Sequence, residues 1–265
     1  MVLIVLALFA LRKIKLLNEP GQQQLLLVVS FPLIGVVWFM SLFKDTLPHW
    51  TGPAYTSLIP LAAAYTARQV QSKLPGVLMP GVAKWAMGLP VLLLALLIVG
   101  IHWLPLRMGN KEEQHLGAGD LLLDMSGWKE FGSDFNALYK QDSAMGRMKS
   151  GAFLISDYWF PAAHLDYYVA RPTGIHNMAI GSYGGIHHYA WLNEFRPAPV
   201  PGQDAYYITV SNYFDPLPAS IAATFQQVDA PVIIHQHRQG MAVRHFVVYR
   251  LKNYKGGIPR NGVTN

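Results

Sequence analysis

The composition of the chain changes abruptly near Leu106. The first 106 residues contain only two acidic side chains, Glu19 and Asp45, and consist largely of long apolar runs. The residues after Leu106 carry charges of both signs mixed with turn-forming residues, as in a domain that folds in water. The sequence therefore predicts a membrane α-helical segment at 1–106 followed by a soluble domain.

Four apolar runs divide the first segment. A membrane-spanning helix needs roughly 20 residues. Three runs reach that length, at 22–43, 46–67 and 85–106. The first run, 1–11, is too short, and we interpret it as part of a fourth helix. The expectation is three to four transmembrane helices at the end of a larger membrane protein.

The positive charges of the loops predict the orientation in the membrane. Lys and Arg cluster between the first and second runs and between the third and fourth, whereas the loop between the second and third contains only Lys44. Because positive loops stay in the cytoplasm, the Lys44 loop and the domain after Leu106 are expected on the outer, periplasmic face. The predicted location is the cell inner membrane, as a multi-pass protein.

The net charge does not indicate a surface for nucleic acid. The chain carries +6, of which +5 belongs to residues 1–106 and only +1 to the remainder. A domain that binds nucleic acid has Lys and Arg clustered on its own surface. Membrane lipid is therefore an expected partner, and nucleic acid is not.

The soluble domain, 120–252, has the pattern of an α/β fold. It follows a polar linker at 107–119 and precedes a glycine-rich, flexible tail at 253–265. Apolar runs with strand character lie at 120–125, 152–159, 176–182 and 205–210. Helices are expected at 128–140, from Pro161 onward and at 219–225.

Two further apolar runs, PVIIHQH and AVRHFVVYRL, are separated by a short segment that contains Gly240. They predict a C-terminal hairpin with Gly240 in its turn. Because strands and helices alternate before this hairpin, the sequence favours a mostly parallel sheet with an antiparallel edge.

The loop around Lys44 has the residue types of a site for a phosphate-bearing lipid. Lys44 would place a point charge on the phosphate, and His49 would donate a hydrogen bond. Trp50 and Tyr55 would lie at head-group depth, where such side chains also collect as an ordinary interfacial belt. Lys44, His49, Trp50 and Tyr55 are therefore candidate phosphate-binding residues, with the interfacial belt as the alternative.

Asp157 and Tyr158 are the candidate ligand contacts of the soluble domain. They end a predicted strand, and open α/β sheets bind ligands outside the carboxyl ends of their strands. The alternative is a cap before Pro161. Asp124, Trp128 and Trp191 are candidates for a sugar-stacking surface, but Trp128 and Trp191 are favoured as anchors of the core.

The histidines give only a weak indication of metal binding. His187 and His188 are adjacent, and His235 and His237 share one face of a predicted strand. Zinc needs three or four ligands, and neither an HExxH motif nor a cysteine supplies the others. No cofactor is evident from the sequence.

Several short motifs resemble, in their order along the chain, those of a known family. They are K-D-T-L-P-H-W-T-G-P-A-Y at 44–55, D-M-S-G-W at 124–128, Ser156-Asp157-Tyr158, H-L-D-Y-Y at 164–168, Tyr189-Ala190-Trp191 and F-V-V-Y-R-L-K-N-Y-K-G-G at 246–257. Together they resemble the C-terminal part of bacterial membrane glycosyltransferases of the GT-C type, related to dolichyl-phosphate-mannose protein mannosyltransferases. The resemblance covers most of the chain, although no single motif is highly specific.

This resemblance implies a function. Such enzymes transfer a sugar from a polyprenyl-phosphate carrier to an acceptor on the outer face, and an acidic residue in an early outward loop serves as base or metal partner. That loop has no counterpart here, and Asp45 lies in a different segment, so no catalytic residue is assigned. The resemblance carries over only to the lysine and His-Trp segment, as neighbours of the carrier phosphate.

The resemblance therefore leads us to expect the C-terminal portion of a glycosyltransferase, inactive alone, with a polyprenyl-phosphate sugar as partner. The full-length family allows a divalent metal. The alternative is a membrane-anchored domain that binds a glycan or a partner without catalysis. A transporter fragment is disfavoured, because the spans contain no Asp, Glu, Lys or Arg, and their only histidines are His49 and His102.

Overall fold

The structure, a computed structural model, describes residues 20–44, 46, 48–71, 81–103, 108–120 and 122–264. The chain divides into two units, with the boundary between Val99 and Gly100. The short apolar run predicted as part of a helix at 1–11 lies outside the described residues.

Three long helices occupy the region before residue 104. They are α1 (Pro20–Ser41), α2 (Gly52–Gln71) and α3 (Gly81–Trp103), with a 3-10 turn (Pro48–Thr51) before α2. Helices α1 and α2 pack against each other through a small apolar cluster. The buried members of the cluster are Ile34, Ala54, Leu58 and Leu61.

Two of these helices are long and apolar enough to cross a membrane, judged by length and composition among the described residues. The stretches are Gly21–Ser41 in α1 and Ala83–Ile101 in α3. Helix α2 is less apolar, because Thr, Ser and Gln side chains and Arg68 interrupt its apolar residues. The expectation of three to four transmembrane helices is therefore supported for two.

The second unit is a mixed α/β domain. Its helices are α4 (Trp128–Ala144), α5 (Trp159–Leu165), α6 (Tyr183–Ile186), α7 (Tyr189–Phe195) and α8 (Ala219–Ala222). Its strands are β1 (Phe153–Asp157), β2 (Asn177–Ile180), β3 (Ala205–Val210), β4 (Phe225–Val228), β5 (Val232–Arg238) and β6 (Met241–Tyr254). Helix α5 continues through a π-helical turn, Asp166–Ala170.

The six strands form one sheet in the order β2-β1-β3-β6-β4, and β5 pairs with β6 on the same side as β4. Strands β2, β1 and β3 are parallel, whereas β6 is antiparallel to β3, β4 and β5. The prediction of a mostly parallel sheet is therefore wrong. Parallel pairing needs a long crossover, whereas a tight turn joins β5 to β6, and β6 pairs with β3, β4 and β5 in the antiparallel direction.

The C-terminal hairpin is confirmed. Strands β5 and β6 meet at Gln239 and Gly240, which have φ values of 50° and 77°. Two successive residues with positive φ are typical of the tight turn that matches the twist of a hairpin. Glycine adopts this conformation without a steric penalty, which explains its place in the turn.

The three parallel strands of the sheet are buried on both faces, whereas β4 and β5 are partly exposed. Leu154, Tyr206 and Phe246 belong to the core on the side that packs against α4 and α5. Ile155 and Tyr207 belong to the core on the opposite side. Neighbouring residues of a strand point to opposite faces of the sheet. Every residue of β1 and β3 is therefore buried, because a core packs against each face.

The strand predicted at 120–125 is wrong, because the described residues 120 and 122–127 form turns. Asp120 Oδ1 accepts a hydrogen bond from the Leu122 backbone amide at 3.0 Å, and Leu123 N donates to Asp120 O at 3.0 Å. An Asp side chain that binds the backbone two residues later favours a turn over a strand. The helix predicted at 219–225 ends at Ala222, and β4 begins at Phe225.

The predicted linker and tail both pack onto the domain. Leu116 is buried and its carbonyl accepts a hydrogen bond from Ser211 Oγ at 2.7 Å. At the other end of the chain, Ile258 is buried and Val263 pairs with Gly181. Residues 108–119 are therefore not a free linker and residues 253–264 are not a free tail, because apolar side chains in both segments bury surface against the domain.

Candidate functional site

The carboxyl ends of the three parallel strands form one edge of the sheet. Strand β1 lies between β2 and β3, so the chain passes from β1 to β2 on one side and then crosses to β3 on the other. Ligands of open α/β sheets bind where the connections diverge in this way. The loops that follow β1 and β3 at this edge, 157–160 and 211–215, therefore define the candidate site.

Asp157 ends β1 and is 7% exposed. Neither of its carboxylate oxygens makes a hydrogen bond of standard geometry with a described residue, although its own backbone amide and the Tyr207 hydroxyl lie near enough to lower its pKa. Burial raises the pKa of this carboxyl to about 7, the charge of Asp215 adds to the rise, and the Asp157 backbone amide and the Tyr207 hydroxyl offset part of it. The Tyr207 hydroxyl itself donates to Asp215 O at 3.4 Å.

The raised pKa gives Asp157 a chemical capacity that surface aspartates lack. Near neutral pH both the protonated and the ionised forms are populated, so the side chain is able to donate or accept a proton. A buried carboxyl with a perturbed pKa at a ligand-binding edge is a candidate functional group on physical grounds.

Tyr158 follows Asp157 in a strained conformation. Its φ and ψ are 57° and 132°, and its side chain is 49% exposed. A residue other than glycine at such a φ costs on the order of 1–3 kcal/mol, and strain of this kind concentrates at functional sites. The structure thus brings the predicted pair Asp157 and Tyr158 to the carboxyl edge, with the acid buried and the tyrosine half exposed.

A row of aromatic rings continues from Tyr158 across this edge. Successive ring centroids are 6.4 Å apart for Tyr158 and Tyr213, 5.6 Å for Tyr213 and Phe160, and 4.8 Å for Phe160 and His164. The row ends where His164 stacks on Trp128 at 4.4 Å. Ring faces of this kind offer apolar contact area for the C–H face of a sugar.

Asp124 joins this row to the turn before α4. Its carboxylate accepts a hydrogen bond from the Tyr213 hydroxyl at 2.9 Å, and its carbonyl accepts one from Trp128 Nε1 at 2.9 Å. Arg244 is fully buried and donates to Leu123 O and Ser126 O, which fixes the same turn. The turn therefore holds Asp124 in place beside the aromatic row.

Two groups at this edge have lowered pKa values. Burial lowers the pKa of Arg244 to about 9, while the charge of Asp124 opposes the shift. Burial, followed by the charge of Arg244, lowers the pKa of His164. His164 is therefore favoured in its neutral form, in which one ring nitrogen donates and the other accepts a hydrogen bond.

Sequence reasoning missed four members of this edge: Tyr213, Phe160, His164 and Arg244. Arg244 had a detectable signal, because it occupies a core-facing position of an apolar strand. Trp128 is buried in the core as favoured, with 2% exposure. Trp191 is 60% exposed, so its assignment to the core is wrong.

The structure does not assemble the Lys44 group into one site. Lys44 follows α1 and is exposed, and His49 and Trp50 are exposed in the 3-10 turn. Tyr55 lies in α2 and packs against the cluster shared with α1. No hydrogen bond or ion pair within the described ranges joins these four side chains.

Metal ligands are not grouped in the part of the chain that the structure describes. No three His, Asp or Glu side chains there come together in a way that could hold an ion. The rings of His235 and His237 are 6.2 Å apart, and those of His235 and His245 are 5.9 Å apart. The adjacent pair His187 and His188 gains no third ligand from the described residues either.

Comparison with known proteins finds no match among family models, curated proteins or solved structures. The chain contains two helices of membrane length and a mixed α/β domain that ends in a strand hairpin.

Proposed function

We propose that this chain is the C-terminal portion of a polytopic inner-membrane glycosyltransferase that transfers a sugar from a polyprenyl-phosphate carrier to an acceptor on the outer face. In this proposal the α/β domain faces the periplasm and contacts a saccharide at the carboxyl edge of its sheet. Helices α1, α2 and α3 would hold the domain at the membrane.

The observation that supports this function best is the state of Asp157. Its buried oxygens make no hydrogen bond of standard geometry with the described residues, and burial raises its pKa to about 7. A saccharide supplies hydroxyl groups that donate to such acceptors, and the half-exposed ring of Tyr158 lies next in the chain. An acceptor group beside an aromatic face is the combination that a sugar needs.

The membrane part would contribute the contact with the carrier phosphate. Lys44 and His49 are exposed between α1 and α2, so both are accessible to a phosphate-bearing lipid. Trp50 and Tyr55 would lie at head-group depth. The acidic outward loop that carries the catalytic base in the resembled family has no counterpart, so we propose that the chain alone does not transfer sugar.

The test uses the full chain in lipid nanodiscs and a polyprenyl-phosphate-linked sugar. We expect saturable binding without turnover. D157N should weaken binding by about tenfold, the effect of losing one good polar contact, and Y158A should weaken it by up to about tenfold, because the aromatic face is lost. The matched control is D134N, because Asp134 is an exposed aspartate of α4. Clear transfer of sugar by the chain alone would disprove the proposal that the chain is inactive by itself.

A non-enzymatic role is the second candidate, namely a membrane-anchored domain that binds a glycan. One observation favours this role. Every residue of the carboxyl-edge site belongs to the second unit, so the site needs no residue of the helices before Gly100. The variant K44A separates the two roles. It should weaken binding of the polyprenyl-phosphate-linked sugar in the enzyme proposal, and it should leave binding of a free oligosaccharide unchanged in both.

A further inference from the structure

A cavity of about 480 Å³ lies at the amino ends of β1, β2 and β3. It is at the opposite edge of the sheet from Asp157. Its wall consists of residues before the three strands, 150–153, 173–177 and Gln203, together with the segment 196–199 after α7. This volume is within the range of cavities that hold small organic ligands.

The charged residues of the wall are all basic. Arg196 and Arg260 line the cavity together with His176, and no Asp or Glu among the described residues does. Arg196 is already neutralised, because Asp166 accepts hydrogen bonds from both of its terminal nitrogens at 3.1 and 2.7 Å. Arg260 is exposed, donates to Glu194 O at 3.0 Å, and forms no ion pair with any described residue.

Arg260 is therefore able to bind an anion in the cavity. A guanidinium binds phosphate and carboxylate through charge-assisted hydrogen bonds, which are stronger than neutral ones. The net positive charge of the wall also attracts an anionic ligand over a neutral one.

Asn193 also lines the cavity, and its side-chain amide has a fixed orientation. Its Nδ2 donates to Ala179 O at 2.8 Å and to Asn261 O at 3.0 Å. These two bonds determine the orientation of the amide, because a flipped amide would place Oδ1 against two carbonyl oxygens. Asn193 is 4% exposed, and its Oδ1 has no hydrogen-bond partner among the described residues.

A buried acceptor without a donor is uncommon in folded proteins and calls for an explanation. A ligand hydroxyl near Asn193 would supply the missing donor. Apolar surface completes the wall, because Tyr139, Ile175 and Pro197 also line the cavity. Apolar walls with a few placed polar groups are typical of small-molecule sites.

We propose that this cavity binds a small hydroxylated anion, a sugar phosphate or a sugar acid, with Arg260 on the anionic group and Asn193 on a hydroxyl. This site is separate from the carboxyl edge and goes beyond the function proposed above. The phosphate of a sugar phosphate and the carboxylate of a sugar acid would both bind Arg260 through charge-assisted hydrogen bonds. Probes that carry one or the other group distinguish the two ligands.

The experiment measures binding to the full chain in nanodiscs by calorimetry. The probes are glucose 1-phosphate, glucuronate, glucose and inorganic phosphate. We expect saturable binding of glucose 1-phosphate or glucuronate, and binding about tenfold weaker for glucose and for inorganic phosphate, since each of these lacks one of the two contacts. The tighter of the two sugar anions identifies the anionic group.

Two variants test the location of the ligand. R260M should weaken the binding of the sugar anion by about tenfold, because it removes one charge-assisted contact. A198W should abolish binding, because Ala198 is an exposed residue of the wall and a tryptophan there would fill the cavity. The matched control is K255M, which removes an exposed cation outside the wall and should leave binding unchanged.

The variant D157N distinguishes this cavity from the saccharide site proposed at the carboxyl edge. Because Asp157 lies at that other edge, D157N should not change the binding of the sugar anion to the cavity. Circular dichroism spectra should show that all four variants are folded. Absence of saturable binding up to about 10 mM ligand, a weak but measurable affinity, would overturn the proposal. So would binding that survives both A198W and R260M, or binding of glucose that equals that of the sugar anions.

Discussion

Helix α3 and the α/β domain both contain leucine, but they place it in opposite surroundings. Leu92 and Leu94 of α3 are 54% and 56% exposed, whereas Leu154 and Leu251 of the domain are completely buried. Exposed apolar surface of this extent is unfavourable in water. The domain therefore buries its leucines in its own core. Helix α3 does not, and its exposed leucines need apolar surroundings. A membrane is able to provide them, because α3 is long and apolar enough to cross one.

The two regions also differ in how they treat charge. The described part of α3 holds one charged side chain, Lys84, near its beginning. The domain instead buries charged groups and pairs them. Asp142, which is completely buried, accepts hydrogen bonds from Arg250 Nε at 2.6 Å and from the Tyr206 hydroxyl at 3.0 Å. Substitutions in either region can therefore test this contrast.

The largest expected effect comes from breaking the buried pair of Asp142 and Arg250. D142A should lower the free energy of unfolding by about 3–5 kcal/mol, because it leaves the Arg250 charge buried without its partner. The measurement is urea unfolding of the full chain in detergent, followed by near-ultraviolet circular dichroism. D134A is the control and should change the stability by less than about 0.5 kcal/mol, since Asp134 is exposed.

A double variant checks the cause of this loss. If the unpaired charge is responsible, adding R250M to D142A should restore part of the stability, because the remaining charge is then removed. A double variant whose loss equals the sum of the two single losses would show that the ion pair is not coupled.

The next effect compares two leucines directly. L154A should lower the free energy of unfolding of the domain by about 2–5 kcal/mol, because it opens a cavity in a closed core. L94A removes the same atoms from α3, where the side chain is half exposed, and should leave the unfolding of the domain unchanged. The same denaturation experiment measures both, and equal losses would contradict the contrast between the regions.

The strands of the domain could be predicted where the sequence alternates clearly. Strands β1, β2 and β3 lie within the predicted runs, and the hairpin strands β5 and β6 overlap theirs and extend beyond them, because apolar and β-branched residues mark buried strands. The direction of pairing could not be predicted. Strand β6 has 14 residues and pairs with three strands, and side-chain periodicity does not specify partners.

The candidate site could be predicted only where one local pattern carried it. Asp157 and Tyr158 end an obvious strand, and this position alone indicates a ligand-binding edge. Tyr213, His164 and Arg244 lie on three other segments and meet only in the folded domain. Their contacts depend on tertiary packing, which leaves no fixed spacing in the sequence.

Asp157 and Asp142 are both buried, but only Asp142 has an arginine partner. The two carboxyls should therefore differ in how they make the stability depend on pH. Its pKa rises from 3.8 to about 7 on folding, so the folded chain binds this proton more tightly than the unfolded chain. The contribution to stability is therefore full below about pH 4 and is lost as the pH rises toward 7. Asp142 differs, because Arg250 neutralises its charge.

D157N removes this dependence. Relative to the wild type, the variant should gain on the order of 2–4 kcal/mol of stability at pH 8 and should show little difference at pH 4. Urea unfolding at several pH values measures the difference. Taking the difference between the two proteins cancels the titration of His164 and His245, whose pKa values are lowered by burial in both. A difference that stays constant from pH 4 to pH 8 would refute the raised pKa.

The smallest expected effect concerns two helical glycines, one in each region. A Cβ atom on Gly132 of α4 would lie 2.3 Å from the backbone oxygen of Tyr168, whereas one on Gly88 of α3 would meet nothing within 4 Å. G132A should therefore destabilise the domain by about 1–3 kcal/mol, because the backbone of the π-helical turn must move, and this exceeds the roughly 1 kcal/mol that alanine gains in helix propensity. G88A should leave the domain unchanged. If G132A were as stable as the wild type, the close contact between α4 and Asp166–Ala170 would not be part of the folded domain.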